Sequence, residues 1–167
     1  MSRTCDVSFD SPASVEQIHS AFGEEDYWLA RIAAFGGAKR LNSLVVESDG
    51  TVTVTVAEDL RRGVLPGMLA KLYRGDLNVV SAEKWRPAGD RRVSGEIGVA
   101  VTGAPGSGHG AAMLAPAGEG SQLTLSGTVE FKVPLVGGKI ESYMGRQMVE
   151  ETPVMLRFTT KWIMEHA

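Results

Sequence analysis

Residues 138–166 read GKIESYMGRQMVEETPVMLRFTTKWIMEH, and this stretch decides the architecture. Ile140, Met144, Met148, Met155 and Trp162 follow one another at steps of four and seven, which places them along one stripe of an amphipathic helix. A helix of that length runs about 43 Å. A chain of 167 residues has an expected radius of gyration of about 15 Å. The helix must therefore lie across the full width of whatever it packs on. Pro153 sits inside it and has no N–H for the carbonyl four residues back, so a kink is expected there.

Upstream the period is two. Val52, Val54 and Val56 alternate with Thr51, Thr53 and Thr55, and the Ser48-Asp49-Gly50 turn precedes them. Leu123, Leu125, Gly127, Val129 and Phe131 alternate with Gln122, Thr124, Ser126, Thr128 and Glu130. Further strands are expected at Leu41–Glu47, Leu77–Trp85, Val93–Val101 and Ala111–Ala115, with Gly103–Gly110 as a glycine-rich loop. Cys5, Val7 and Phe9 form one face of a first strand. Two short helices follow it. One starts at Ser11-Pro12 and carries Val15, Ile18 and Phe22; the other carries Trp28, Ile32 and Phe35 and stops at Gly36-Gly37. Short turns between sequence-adjacent strands predict an antiparallel meander with one apolar and one polar face. The fold class is α+β: a curved sheet of six or seven strands against one long C-terminal helix, in a single domain over residues 1–167.

Composition narrows the functions. Hydrophobic residues are 43% and charged residues 22%, a globular balance. The net charge of -3 lacks the basic excess of a nucleic-acid binder. Cys5 is the sole cysteine, so no internal disulfide is expected. The N-terminus lacks the apolar core of a signal peptide, and no apolar run reaches the ~18 residues of a membrane helix. A cytoplasmic protein is expected.

The order of strand, two short helices, meander and long final helix resembles the helix-grip fold of the START-like (SRPBCC) superfamily. That superfamily includes lipid-transfer domains, plant steroid-binding allergens, polyketide cyclases and coenzyme Q-binding proteins. Pro134-Leu135-Val136-Gly137-Gly138-Lys139-Ile140-Glu141 and Glu83-Lys84-Trp85 look like an actinobacterial branch classed as a domain of unknown function. The resemblance implies a fold and a cavity, and no reaction. The first motif also reads as purely structural. Pro134 ends the strand, Gly137-Gly138 allows the reversal, and Ile140 begins the buried stripe.

A curved sheet under a helix either encloses a pocket or fills it with side chains. Methionines at 144, 148 and 155 suit an adaptable apolar surface, and Val54, Val56, Val99, Ala100 and Gly127 opposite are medium or small. The candidate lining is Val54, Val56, Leu77, Val79, Glu83, Trp85, Ile97, Val99, Leu125 and Val129 on the sheet, with Met144, Met148 and Met155 on the helix. Glu83 shares a face with Leu77, Val79 and Trp85 by period two, yet the strand also reads with Val80 and Ala82 inward. Exposure of Glu83 at an edge or rim is the favoured reading. In residues 61–75, Leu65, Met68, Leu69 and Leu72 share one face of a short helix among Arg61, Arg62, Lys71 and Arg74. This segment reads as a lid packing its leucines inward, with a portal flap touching an anionic membrane transiently as the alternative.

Gly103–Gly110 imitates a phosphate loop but lacks its lysine. No nucleophile elbow occurs, and His19, His109 and His166 show no metal-ligand spacing. No metal, cofactor or catalytic residue is assigned. The expected function is noncatalytic binding or transport of a lipid, isoprenoid quinone or polyketide-like molecule. A cyclase or aromatase using Glu83 or His19, and a protein-interaction module with a filled core, are the alternatives.

Overall fold

The structure, a computed structural model, describes residues 2–35, 38–59, 78–103 and 105–167. Strand β1 (Ser2–Ser11) leads into helices α1 (Val15–Phe22) and α2 (Glu25–Phe35). The meander follows: β2 (Lys39–Val46), β3 (Val52–Asp59), β4 (Asn78–Pro87), β5 (Val93–Thr102), β6 (Gly106–Ala117) and β7 (Gly120–Phe131). Helix α3 (Gly137–Glu165) closes the order. The sheet order is β1-β7-β6-β5-β4-β3-β2, every neighbouring pair antiparallel, so β1 returns to lie beside β7. This is the α+β arrangement that the two periodicities predict and the helix-grip order that the resemblance implies.

Local chemistry sets the boundaries, and in three places it corrects the expectation. The cap of α1 is Ser14 rather than Ser11: Ser14 Oγ accepts from the Gln17 N–H at 3.1 Å, and Gln17 Oε1 accepts from the Ser14 N–H at 2.9 Å. This is a reciprocal capping box. Ser11 instead ends β1, its hydroxyl accepting from the Ala13 N–H and meeting Thr160 Oγ1 at 2.8 Å.

Residues 106–110 are strand, not loop. Gly106, Gly108 and Gly110 pair with Phe131, Val129 and Gly127, and they continue on one face into buried Ala112 and Leu114. Close approach explains the glycines: a Cβ on Gly106 would stand 2.9 Å from the Phe131 ring, and one on Gly110 would stand 2.9 Å from the Ser126 carbonyl.

The reversal into α3 turns at Leu135, whose φ is 69°, and not at the glycines. Gly137 serves close packing, because a Cβ there would overlap the Phe131 carbonyl. Ala100, expected to face α3, is exposed on the outer side of β5.

The core is divided. One cluster of buried residues gathers Ile18, Phe22, Tyr27, Trp28, Val52, Val54, Trp85, Leu114, Leu123, Leu156 and Trp162 beneath α1, α2 and the C-terminal half of α3. A separate cluster of Val79, Phe131, Val136 and Ile140 holds the N-terminal end of α3. Aromatic rings dominate the first. Phe22 lies 5.0 Å from Trp85, and Tyr27 meets Trp162 edge-on at 5.4 Å between centroids. Tyr27 is fully buried, and its hydroxyl hydrogen-bonds the Thr159 hydroxyl at 2.7 Å. Thr152, Thr159 and Thr160 each donate back to the carbonyl four residues earlier, flanking the proline-interrupted turn of α3.

Candidate functional site

Between the two core clusters lies a recess of about 350 Å³. Its floor is the middle of the sheet, where Gly108 and Gly110 on β6 and Gly127 on β7 leave bare backbone. On the sheet it is bordered by Val56, Val79, Trp85, Ile97, Val99, Leu125 and Val129. Across it Met144, Met148 and Met155 form the α3 wall, and Phe22, Trp28, Ile32 and Phe35 from the short helices close one side. The three methionines and Val56, Ile97, Val99, Leu125 and Val129 face inward yet remain half-buried. Met144, Met155 and the sheet residues pack against the edges of the two clusters and, among the described residues, all turn their remaining apolar surface to the recess. Met148 leans over the floor: a Cβ on Gly127 would lie 3.1 Å from its sulfur.

Most of the candidate lining is thereby brought together around one space. Val54 is not part of it; fully buried, it packs in the aromatic cluster. Leu77 lies outside the described residues, as do Leu65, Met68, Leu69 and Leu72 of the 61–75 segment. Glu83 corrects the favoured rim reading. The β4 side chains pointing inward are Val79, Ser81, Glu83 and Trp85, because Trp85 is drawn into the aromatic cluster and period two carries Glu83 with it. The Glu83 side chain is 18% exposed; its Oε2 accepts from Trp85 Nε1 at 2.9 Å.

Four charged residues at the recess carry no periodic signal and escape a reading of the sequence: Arg31, Lys39, Glu58 and Glu151. Arg31 lies 3.8 Å from Glu83 Oε1 and 4.7 Å from the centroid of the Trp28 ring, a cation over an aromatic face. Burial opposes its charge, while the Tyr27 hydroxyl and Glu83 favour it, and the net direction is upward. Glu58 on β3 has its pKa raised, first by burial and then by the Glu151 charge, against an opposing pull from Lys39. Glu58 pairs with Val79 and Glu83 with Val54, so the two carboxylates stand on neighbouring strands about 13 Å apart along the strand. The recess thus has an apolar middle and a charged group toward each end.

The histidines do not enter it through their side chains. His19 rests against Gly50 at the β2–β3 turn, and His109 points outward from β6, contributing only backbone to the floor. Among the described residues no three His, Cys, Asp or Glu side chains are placed to hold a metal ion. None of the helices described is long and apolar enough to cross a membrane.

A curved seven-stranded antiparallel sheet gripped by one long C-terminal helix is the START-like fold. Solved structures agree: a protein from Thermus thermophilus superposes with a TM-score of 0.60 at 17% identity over 99% of both chains. A START superfamily protein from Mycobacterium smegmatis gives 0.54 at 13% identity over 98% of this chain and 99% of its own. Norcoclaurine synthase from Thalictrum flavum, solved in complex with dopamine and hydroxybenzaldehyde, gives 0.52 at 14% identity over all of this chain and 89% of its own. At these identities the likeness shows the fold. The family is closer at hand. Residues 6–163 match the family described as "Protein of unknown function (DUF2505)", and an uncharacterised protein of Mycobacterium tuberculosis is 38% identical over 98% of both chains. The chain belongs to that family.

Proposed function

We propose that this protein binds and carries a lipophilic small molecule in the recess between the sheet and α3, without transforming it. The observation that carries this reading is the inward yet half-buried state of Met144, Met148, Met155 and the valines opposite. Apolar side chains that face the interior without filling it gain by burial against a ligand, at about 25 cal/mol per Å² before ordering costs. At about 350 Å³ the recess suits a molecule of one or two rings, or one short chain, better than a two-chain lipid. Lipids, isoprenoid quinone head groups and polyketide-like aromatics are the classes to which we assign it, in a cytoplasmic setting. The solved relative holding two small aromatic molecules supports an aromatic occupant.

Native mass spectrometry of the protein from its own host, followed by organic extraction, tests the reading. A stoichiometric apolar species is the expected result. A clean apo mass together with no binding of apolar probes refutes it. The competing cyclase-type reading needs an acid or base on the recess. His19 is too far removed to serve, and Glu83 already serves Arg31 and Trp85. Glu58 borders the recess, and burial raises its pKa toward a proton-donating role. Turnover abolished by Glu58→Gln would favour that reading over carriage.

A further inference from the structure

We infer that the occupant carries a neutral carbonyl oxygen and sets it on the Arg31 guanidinium, with its apolar body along the methionine wall. This rests on the proposed binding role of the recess and adds the chemistry of the ligand's head. Arg31 lines the recess from α2, its guanidinium carbon 4.7 Å from the centroid of the Trp28 ring. The Tyr27 hydroxyl favours its charge by proximity and by hydrogen bonding, yet one donor, Nη1, is left unmet. The Glu83 oxygen facing it stands at 3.8 Å, beyond hydrogen-bond reach, and Nη1, shielded from water, has no acceptor among the described residues. A guanidinium has five N–H donors, and leaving any unmet beside an apolar space is unfavourable. The side chain keeps 20% exposure, so a small turn of its last torsions presents a donor to an incoming oxygen.

The charge balance selects the kind of oxygen. Glu83 already offsets the Arg31 charge and Glu151 acts on Arg31 from the same recess, while the other cation, Lys39, stands at the far end beside Glu58. A carboxylate head would enter a neutral pair with a second carboxylate close by and meet net repulsion. A ketone, quinone or ester carbonyl takes the donor without adding charge. Glu83 cannot turn away to make room for an anion, because Trp85 Nε1 holds its Oε2 at 2.9 Å.

Three probes of matched shape test this: 2-acetylnaphthalene, 2-isopropylnaphthalene and 2-naphthoate, titrated by calorimetry near neutral pH. The ketone should bind about tenfold more tightly than the hydrocarbon, as expected of a hydrogen bond to a charged group. The naphthoate should bind more weakly than the ketone. Removing Arg31 alone strands the Glu83 charge, so the anchor-free form is the double variant Arg31→Leu/Glu83→Gln. In it the ratio of ketone to hydrocarbon affinity should fall to about one. Glu83→Gln alone should strengthen 2-naphthoate about tenfold by lifting the repulsion. Equal affinity of ketone and hydrocarbon in the unaltered protein overturns the carbonyl anchor and leaves the binding role standing. So does a naphthoate that binds best. Failure of all three probes overturns the binding role, and the anchor with it.

Discussion

Gly127→Val tests whether the recess is open, because the substitution is predicted to move stability and binding in opposite directions. Gly127 faces inward from β7, and the nearest atom to an added Cβ is the Met148 sulfur at 3.1 Å, the end of a flexible side chain. Valine suits a strand and adds three carbons, each worth about 0.8 kcal/mol when buried. Relief of the glycine's backbone freedom adds about 0.5 kcal/mol. Displacing Met148 from its present rotamer costs about 1 kcal/mol. The net is a stabilisation of about 2 kcal/mol, which for a domain of this size raises Tm by about 4 to 8 °C. The same three carbons occupy space a ligand would need, so the affinity for 2-isopropylnaphthalene should fall about tenfold or more. Thermal unfolding by circular dichroism and calorimetric titration read the two effects. A fall in Tm would mean that the floor of the sheet is already packed. A rise in Tm with unchanged affinity would place the ligand elsewhere.

Other perturbations probe separate parts of the molecule. Thr159→Val removes the partner of the buried Tyr27 hydroxyl and should destabilise by about 1 to 3 kcal/mol, seen as a lower urea midpoint with an unchanged slope. Glu58 has a folded-state pKa above its unfolded value, so the folded state binds more protons in that window and stability is lost as pH rises through it. Glu58→Gln should therefore raise Tm at about pH 8 and have little effect near about pH 4; a larger gain at the acidic end would contradict the burial of that carboxyl. Leu135 holds φ 69° while 98% exposed, so Leu135→Gly loses no packing and relieves about 1 kcal/mol of left-handed strain. A drop in Tm for that variant would mean that the side chain has a partner.

The sheet and the long helix were legible because their apolar residues keep strict periods. The alternations in β3 and β7 and the Ile140, Met144, Met148 stripe fix both the elements and their faces. The first half of β6 was not, for a related reason. Gly106, Gly108 and Gly110 hold the inward positions of a strand, and glycine carries no hydropathy for an alternation to reveal. Two of these glycines, Gly108 and Gly110, open the recess floor, so the positions that make the site are those where the pattern fades. Glu83 was ambiguous because both faces of β4 mix small, polar and apolar residues. The demand of Trp85 for the aromatic cluster decides it, and that cluster is assembled from residues far apart in the chain. Arg31, Lys39 and Glu58 reach the recess from three different elements. Their meeting is a property of tertiary packing alone.

The divided core has a dynamic consequence. A helix seated on one continuous core opens only when the whole domain does. Here α3 is seated twice, on the aromatic cluster through Leu156 and Trp162 and on the smaller cluster through Ile140, with Pro153 removing a backbone bond between the two seats. Each seat is expected to behave as a separate cooperative unit, and among the described residues the smaller one centres on Val79, Phe131, Val136 and Ile140. We predict that the N-terminal turns of α3 lift while the C-terminal turns stay docked, with the proline as the pivot. Amide protons of residues 140–149 should exchange through sub-global openings, well before those of residues 156–163. The methionine wall would ride on the moving half, so the surface that receives the molecule is also the door through which it passes.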